Sequence, residues 1–171
     1  LLNSFLKQEN KKLKKLMNES IGSDEIIAKV LIDKESPFLK SIILNKGSRD
    51  KVKIGMAIVD GTYLVGKIIE VNFTNSRALL LTDFNSKIPV ILEPLGIQAI
   101  ASGVGKDYGN IQYSREKYKE SFKTNEVIVY TSGLGNLFKP GMPVGKILKD
   151  NRSRIDFFSD FSQLEYVKIS S

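Results

Sequence analysis

The chain has 171 residues, 42% of them hydrophobic, enough for one or two compact domains with real cores. It contains no cysteine and no histidine, which removes disulfides, thiolate metal sites, the commonest general base and the commonest transition-metal ligand. The net charge of +7 favours anionic neighbours, yet the surplus is lysine-rich, crowded at Lys7, Lys11, Lys12, Lys14 and Lys15 and scattered elsewhere, so nucleic-acid recognition is not expected.

The first segment, Leu1 to about Ser20, lacks proline and glycine and is dominated by strong helix formers. Leu2, Leu6, Glu9, Leu13, Leu16 and Ser20 step by alternating fours and threes, the a/d spacing of a coiled coil. Two readings follow: an amphipathic helix lying on its own domain, or the end of a longer dimerising coiled coil. Glu9 and Ser20 are polar breaks in that seam. Gly22 and Asp24 supply a stop and a turn. The chain opens at Leu1, already inside the helical pattern, so a preceding segment is expected. No apolar run reaches the ~18 residues needed to cross a bilayer, and no signal-peptide pattern opens the chain.

Beyond Asp24 the pattern changes to brief apolar or β-branched runs separated by turn residues, the signature of barrels or sandwiches. Strands are predicted near 26–33, 40–44, 57–59, 63–72, 77–81, 88–92, 97–103, 110–113, 126–130, 142–148 and 164–169. Residues 114–123 are polar, with charges of both signs, and read as a helical turn or an exposed loop. Val65-Gly66-Lys67-Ile68 recurs as Val144-Gly145-Lys146-Ile147, each copy trailing an apolar strand and a glycine-bearing turn, which predicts two similar β units. No βαβ alternation is present, which argues against a nucleotide-binding parallel sheet.

Catalytic patterns are weak throughout. The Ser-x-x-Lys pairs Ser4/Lys7, Ser48/Lys51 and Ser114/Lys117 occur at the frequency chance predicts, without the accompanying Ser-Asp-Asn and Lys-Thr-Gly elements. Thr131-Ser132-Gly133-Leu134-Gly135 lacks the Gly-x-Ser-x-Gly spacing, and no histidine exists to take the serine proton. Residues 103–109 depart from a dinucleotide fingerprint by one position and read as a hairpin connection. Asp24/Glu25 and Asp156/Asp160 read as surface carboxylates, and no calcium loop occurs. No cofactor and no metal are expected.

Asn45-Lys46-Gly47-Ser48-Arg49-Asp50, Val52, Gly55-Met56, Leu64-Val65-Gly66-Lys67 and Leu80-Leu81-Thr82-Asp83 form an ordered series. It continues through Thr131-Ser132-Gly133-Leu134-Gly135, Phe138, Pro140-Gly141 and Pro143-Val144-Gly145, and closes with Asp160-Phe161-Ser162 and Leu164-Glu165-Tyr166-Val167. In order and spacing the series resembles the MreC family of rod shape-determining proteins. Family turn positions then fall on Gly47, Gly55, Gly66, Asp83, Ser132, Gly133, Gly135, Pro140, Gly141 and Gly145. The family usually has glycine where this chain has Lys51, Tyr63 and Asn125, and aspartate where it has Glu126. Asparagine enters the left-handed region readily, whereas Tyr63 implies a locally different turn.

The resemblance implies a mainly β protein: a coiled-coil helix over 1–22, a first six-stranded barrel-like domain over 23–93 and a second over 94–171, with strand exchange between them allowed for. It implies an anchor helix in the inner membrane and a periplasmic location. It also implies a non-enzymatic scaffold that self-associates through Leu2, Leu6, Leu13 and Leu16. The implied partners are the class B penicillin-binding transpeptidase of the elongation machinery, with MreB, MreD and RodA alongside. Tyr63, Phe73, Phe84, Phe157 and Phe158 are candidate partner-facing aromatics, because aromatic anchors carry disproportionate interface energy. A double-barrel hydrolase related to trypsin-like proteases, with unusual catalytic groups around Ser132, is the competing reading. A basic wall-polymer or nucleic-acid binding module is a third.

Overall fold

A computed structural model describes residues 2–20, 25–31, 40–120 and 124–171, with the backbone alone for 15–20. Gly22, Asp24 and the end of the first predicted strand lie outside the described residues. The described residues form a helix, α1 (Leu2–Ser20), and twelve strands. These are β1 (Ile26–Leu31), β2 (Ser41–Leu44), β3 (Ala57–Asp60), β4 (Tyr63–Val71), β5 (Ser76–Leu80) and β6 (Lys87–Glu93). Then follow β7 (Ile97–Gly103), β8 (Tyr108–Ser114), β9 (Glu126–Thr131), β10 (Pro143–Leu148), β11 (Asn151–Phe157) and β12 (Tyr166–Ser170).

The strands close into two six-stranded antiparallel barrels. Around the second the order is β6-β7-β8-β11-β10-β9, returning to β6. Around the first it is β12-β1-β2-β5-β4-β3, returning to β12. The two rings are the same ring once β12 is counted as the first strand of its barrel. The repeated Val-Gly-Lys-Ile segments then fall on equivalent strands, β4 and β10, so the duplication in the sequence is a duplication of topology.

This arrangement departs from a division at residue 93. Lys87–Glu93 pairs with β9 and belongs to the second barrel, while Tyr166–Ser170 returns to the first. The reason is closure: Val167 and Ile169 are buried in the first core, and β12 satisfies the edges of both β1 and β3, which would otherwise present unpaired backbone groups. One strand, β11, has no counterpart among the predicted strands. Its sequence, Asn-Arg-Ser-Arg-Ile-Asp-Phe, buries only Ile155 fully and carries no sustained alternation.

The first core holds Ala28, Leu44, Ile58, Val65, Ile68, Ala78, Val167 and Ile169. The second, built on Val90, Leu92, Val127, Val129, Ile147 and Ile155, extends outside its own barrel to Ala57, Val59, Leu64 and Leu81. Alternation along β3 and β4 explains the split: Ile58 and Val65 point into the first barrel, and Ala57, Val59 and Leu64 point toward the second. β3 is therefore apolar on both faces, and its Ala-Ile-Val run shows no period of two for that reason. β4 and β10 meet at this seam. Buried side chains of this size each contribute roughly 1.5–3 kcal/mol, so the seam binds the barrels into one body.

Gly66 and Gly145 share a second property. A Cβ on Gly66 would stand 2.2 Å from the Leu79 carbonyl oxygen, and one on Gly145 would stand 2.5 Å from that of Asp156. Both glycines permit a close strand crossing beside a register shift.

Candidate interaction surface

Where the barrels meet, short polar and aromatic contacts fasten the seam. Ser159 Oγ donates to Asp60 Oδ2 at 3.1 Å, joining the segment after β11 to the β3–β4 turn. The Tyr63 ring, at the start of β4, lies 5.1 Å from the Phe158 ring, tilted by 33°, and the Phe158 N–H donates to the Val144 carbonyl at 3.2 Å. The position where a glycine was expected thus carries a ring that clasps the opposite barrel, at a geometry typical of aromatic pairs.

Asp83 organises the connection from β5 to β6. It is buried, its Oδ2 accepts from the Lys40 N–H and its Oδ1 from the Asn85 N–H, both at 2.8 Å. Those bonds tie the residue preceding β2 to the inter-barrel linker, a structural use of a buried carboxylate. Beside it opens a cleft of about 770 Å3 whose lining includes Lys40, Lys106, Arg154, Asp156, Phe157 and Phe161. Arg154 Nε donates to Asp156 Oδ1 at 2.8 Å, and its guanidinium sits 4.4 Å from the Tyr108 ring centroid. Asp156 raises the Arg154 pKa further, so this cation is permanent. The donors of Ser162 hold the Asp160 carboxyl below its ordinary value.

The predicted aromatics separate into two groups. Phe73 and Phe84 project into solvent, 68% and 65% exposed, and Tyr63 is 39% exposed. Phe157 instead packs against the second core and meets Phe161 edge-on at 5.4 Å, and Phe158 is occupied by Tyr63. Exposed apolar residues outside the predicted set are Phe5, Leu31, Ile54, Tyr113, Leu134 and Leu137. The last two sit in the glycine-rich stretch after β9, where apolar residues flanked by turn glycines were the available signal.

That stretch is a built turn. The Thr131 hydroxyl, buried, donates to the Lys139 carbonyl at 2.6 Å and accepts from the Met142 N–H at 2.9 Å. Gly133 adopts φ +77, and a Cβ there would lie 3.0 Å from Pro140 Cβ. Gly135 and Gly141 also have positive φ, as does Gly55 in the turn before β3; Gly47 abuts the Asn72–Asn75 backbone. Ser132 Oγ accepts from the Leu134 N–H at 3.3 Å, a local turn contact, and its own N–H donates to Pro89 O. No histidine stands behind it. Lys51 takes φ +70 where glycine was expected, whereas Asn125 is not among the non-glycine residues with positive φ. Among the described residues no group of three or more carboxylates could hold a metal, and no helix is long and apolar enough to cross a membrane.

Residues 114–120 are anchored rather than loose: Tyr118, in a one-turn 3-10 helix, is buried and donates to the Arg152 carbonyl at 2.6 Å. Burial raises its pKa. Residues 121–123 lie outside the described residues.

On α1, Leu2 and Leu6 are exposed and Leu13 is half-buried; the side chain of Leu16 lies outside the described residues. Glu9 faces the first barrel. Its Oε1 accepts from the Tyr166 hydroxyl and from Lys29 Nζ, the latter at 3.3 Å, and Lys12 Nζ reaches Glu165 Oε2 at 2.7 Å. Those donors lower the Glu9 pKa, while burial and the Glu9 carboxylate push Tyr166 up to about 12.

A family model described as "Rod shape-determining protein MreC, barrel core" matches residues 30–171. The chain belongs to the MreC family. It is 35% identical over 142 residues to the cell shape-determining protein MreC of Cereibacter sphaeroides, covering 82% of this chain and 46% of that one. The chain spans about half the length of the curated relatives it matches. A solved MreC structure superposes with a TM-score of 0.80 at 26% identity, over 97% of this chain and 99% of the other. MreC also appears in a solved complex between Penicillin-Binding Protein (PBP2) and MreC from Helicobacter pylori. That match has a TM-score of 0.57 over 86% of this chain and 99% of the other; at 12% identity it is a likeness of fold.

Proposed function

We propose that this chain is the extracytoplasmic barrel region of a non-catalytic scaffold of the cell-elongation complex, binding and positioning or activating a class B penicillin-binding transpeptidase for lateral peptidoglycan synthesis. Membership of a cell-shape family, together with a relative that forms a complex with a penicillin-binding protein, carries the reading. The physical features agree with it: two barrels joined through an apolar seam make a rigid platform, Phe73 and Phe84 stand out from it, and Ser132 lacks a histidine partner. On this reading the protein lies on the periplasmic face of the inner membrane, anchored by a helix preceding these residues. MreB, MreD and RodA are neighbours in the same complex, and α1 contributes self-association.

Activation requires tighter binding to the open arrangement of the transpeptidase than to the closed one, since equal affinities shift nothing. Capture of the periplasmic transpeptidase domain by the 171-residue chain tests the reading. Binding that survives deletion of residues 1–20 and falls in Phe73→Ala or Phe84→Ala supports it. No binding by either form, or equal affinity for both transpeptidase states, overturns the scaffold or the activation step respectively. Turnover of peptide or ester substrates abolished by Ser132→Ala would restore the hydrolase reading.

A further inference from the structure

The contact between α1 and the first barrel uses the same helix face that the heptad pattern reserves for another helix. Leu2, Leu6, Glu9, Leu13 and Leu16 fall on one seam. In the middle of that seam Glu9 is held by Tyr166 of β12 and Lys29 of β1, Leu13 is half-buried, and Lys12 at its flank pairs with Glu165. Toward the amino terminus the same face runs on free, with Leu2 71%, Phe5 58% and Leu6 47% exposed. The docked part of the face is held by polar groups and the free part is apolar.

We propose that α1 has two mutually exclusive positions, docked on the first barrel or paired with α1 of a second copy, and that the Glu9–Tyr166–Lys29 and Lys12–Glu165 contacts are the latch between them. The proposal rests on the self-association reading of α1 given above. A second helix can occupy the seam only where Glu9 has left the barrel, because one face cannot serve two partners. The latch is suited to exchange, since exposed ion pairs are individually weak. Glu9 also works from the other side: in a helix pair it would sit at a core position facing its mate, where a carboxylate costs stability. One residue therefore favours the docked state and disfavours the paired one, which holds the chain near the balance between them. The occupant is a second copy of this chain, because the seam repeats at a/d spacing and is self-complementary in register.

Reversing the charges of the latch one at a time and then together is the decisive experiment, read as the self-association constant from sedimentation velocity on the 171-residue chain. Glu165→Lys changes only the barrel and leaves the seam intact; Lys12→Glu changes only the helix flank. Both side chains are about half exposed, 47% and 55%, so the barrels keep their fold. Each single reversal is expected to tighten self-association about fivefold or more by releasing α1, and the double reversal, which restores opposite charges, to return it to the starting value. Glu9→Leu, which removes the latch and completes the seam, is expected to give the tightest association. Unchanged association in both single reversals, in a chain whose association is lost on deletion of residues 1–20, overturns the latch but leaves helix pairing standing. Association that survives that deletion overturns helix pairing itself, and the latch with it.

Discussion

The two barrels share a ring order and differ in how the chain supplies it. The second is one uninterrupted stretch, β6 to β11, whose strands all find partners within Lys87–Phe157. The first takes five strands from one end of the chain and its sixth, β12, from the other. The same architecture is therefore self-sufficient in one copy and dependent, in the other, on a strand from beyond the second barrel. The second barrel's core also continues into the seam, where it takes in Ala57, Val59 and Leu64 from the first barrel's strands. What the comparison teaches is that topology alone does not set robustness; the sequence distance across which a ring must close matters as well.

Deleting residues 166–171 should separate the two barrels most sharply. It removes Val167 and Ile169 from the first core and exposes β1 and β3 as edges. Amide exchange should find the first barrel unprotected and the second still protected; loss of both would mean the seam, not ring closure, governs stability. Next in size are Gly66→Ala and Gly145→Ala, where the new methyl meets backbone carbonyls at 2.2 and 2.5 Å. Both should cost about 3 kcal/mol in denaturant unfolding, and a tolerated Gly145→Ala would show that the repeated glycines are not equivalent.

Smaller effects sharpen the contrast. Tyr118→Phe leaves the Arg152 carbonyl without its phenol donor in the second barrel and should lower stability by about 1 kcal/mol. Lys51→Gly, in the first barrel, relieves a left-handed non-glycine residue and should raise stability by about 0.5 kcal/mol. The smallest is the pH dependence of the contact between α1 and the first barrel. Tyr166 has a folded pKa raised to about 12, so its contribution is complete below about 10 and is lost as pH rises from there toward 12. Glu9 has a depressed pKa, so its contribution is present above the ordinary carboxylate value and is lost as pH falls below it. A stability–pH profile of a Glu9→Gln, Tyr166→Phe double variant should have both limbs reduced, leaving the acid limb of Asp160 and the alkaline limb of Tyr118.

Much of the fold was legible because apolar runs and turn residues alternate on a short scale. Strands such as Ile97–Gly103 and Glu126–Thr131 declare themselves through β-branched residues between glycine- and asparagine-bearing turns. β11 did not, since one buried isoleucine among charged neighbours leaves no period to detect. The membership of β12 was hidden for a different reason: pairing Ile26 with Ile169 is non-local, and no property of either segment names the other. At the surface, Phe73 and Phe84 stay exposed in the β4–β5 turn and the β5–β6 connection, while Phe157, at the end of β11, packs against the second core, a tertiary difference that no local pattern carries. Glu9 left a readable trace, as the one charged residue on the heptad seam, but its partners Lys29 and Tyr166 come from strands that only the closed ring brings together.

That ring has a consequence for the order in which the protein matures. A chain delivered from its amino terminus presents β1 to β5 first, yet β1 and β3 must wait, their edges open, until β12 arrives; β6 to β11 can close in the meantime. The part made earliest is finished last. Throughout that interval α1 has no Glu165 or Tyr166 to settle on, so its docking on the first barrel is among the last contacts to form.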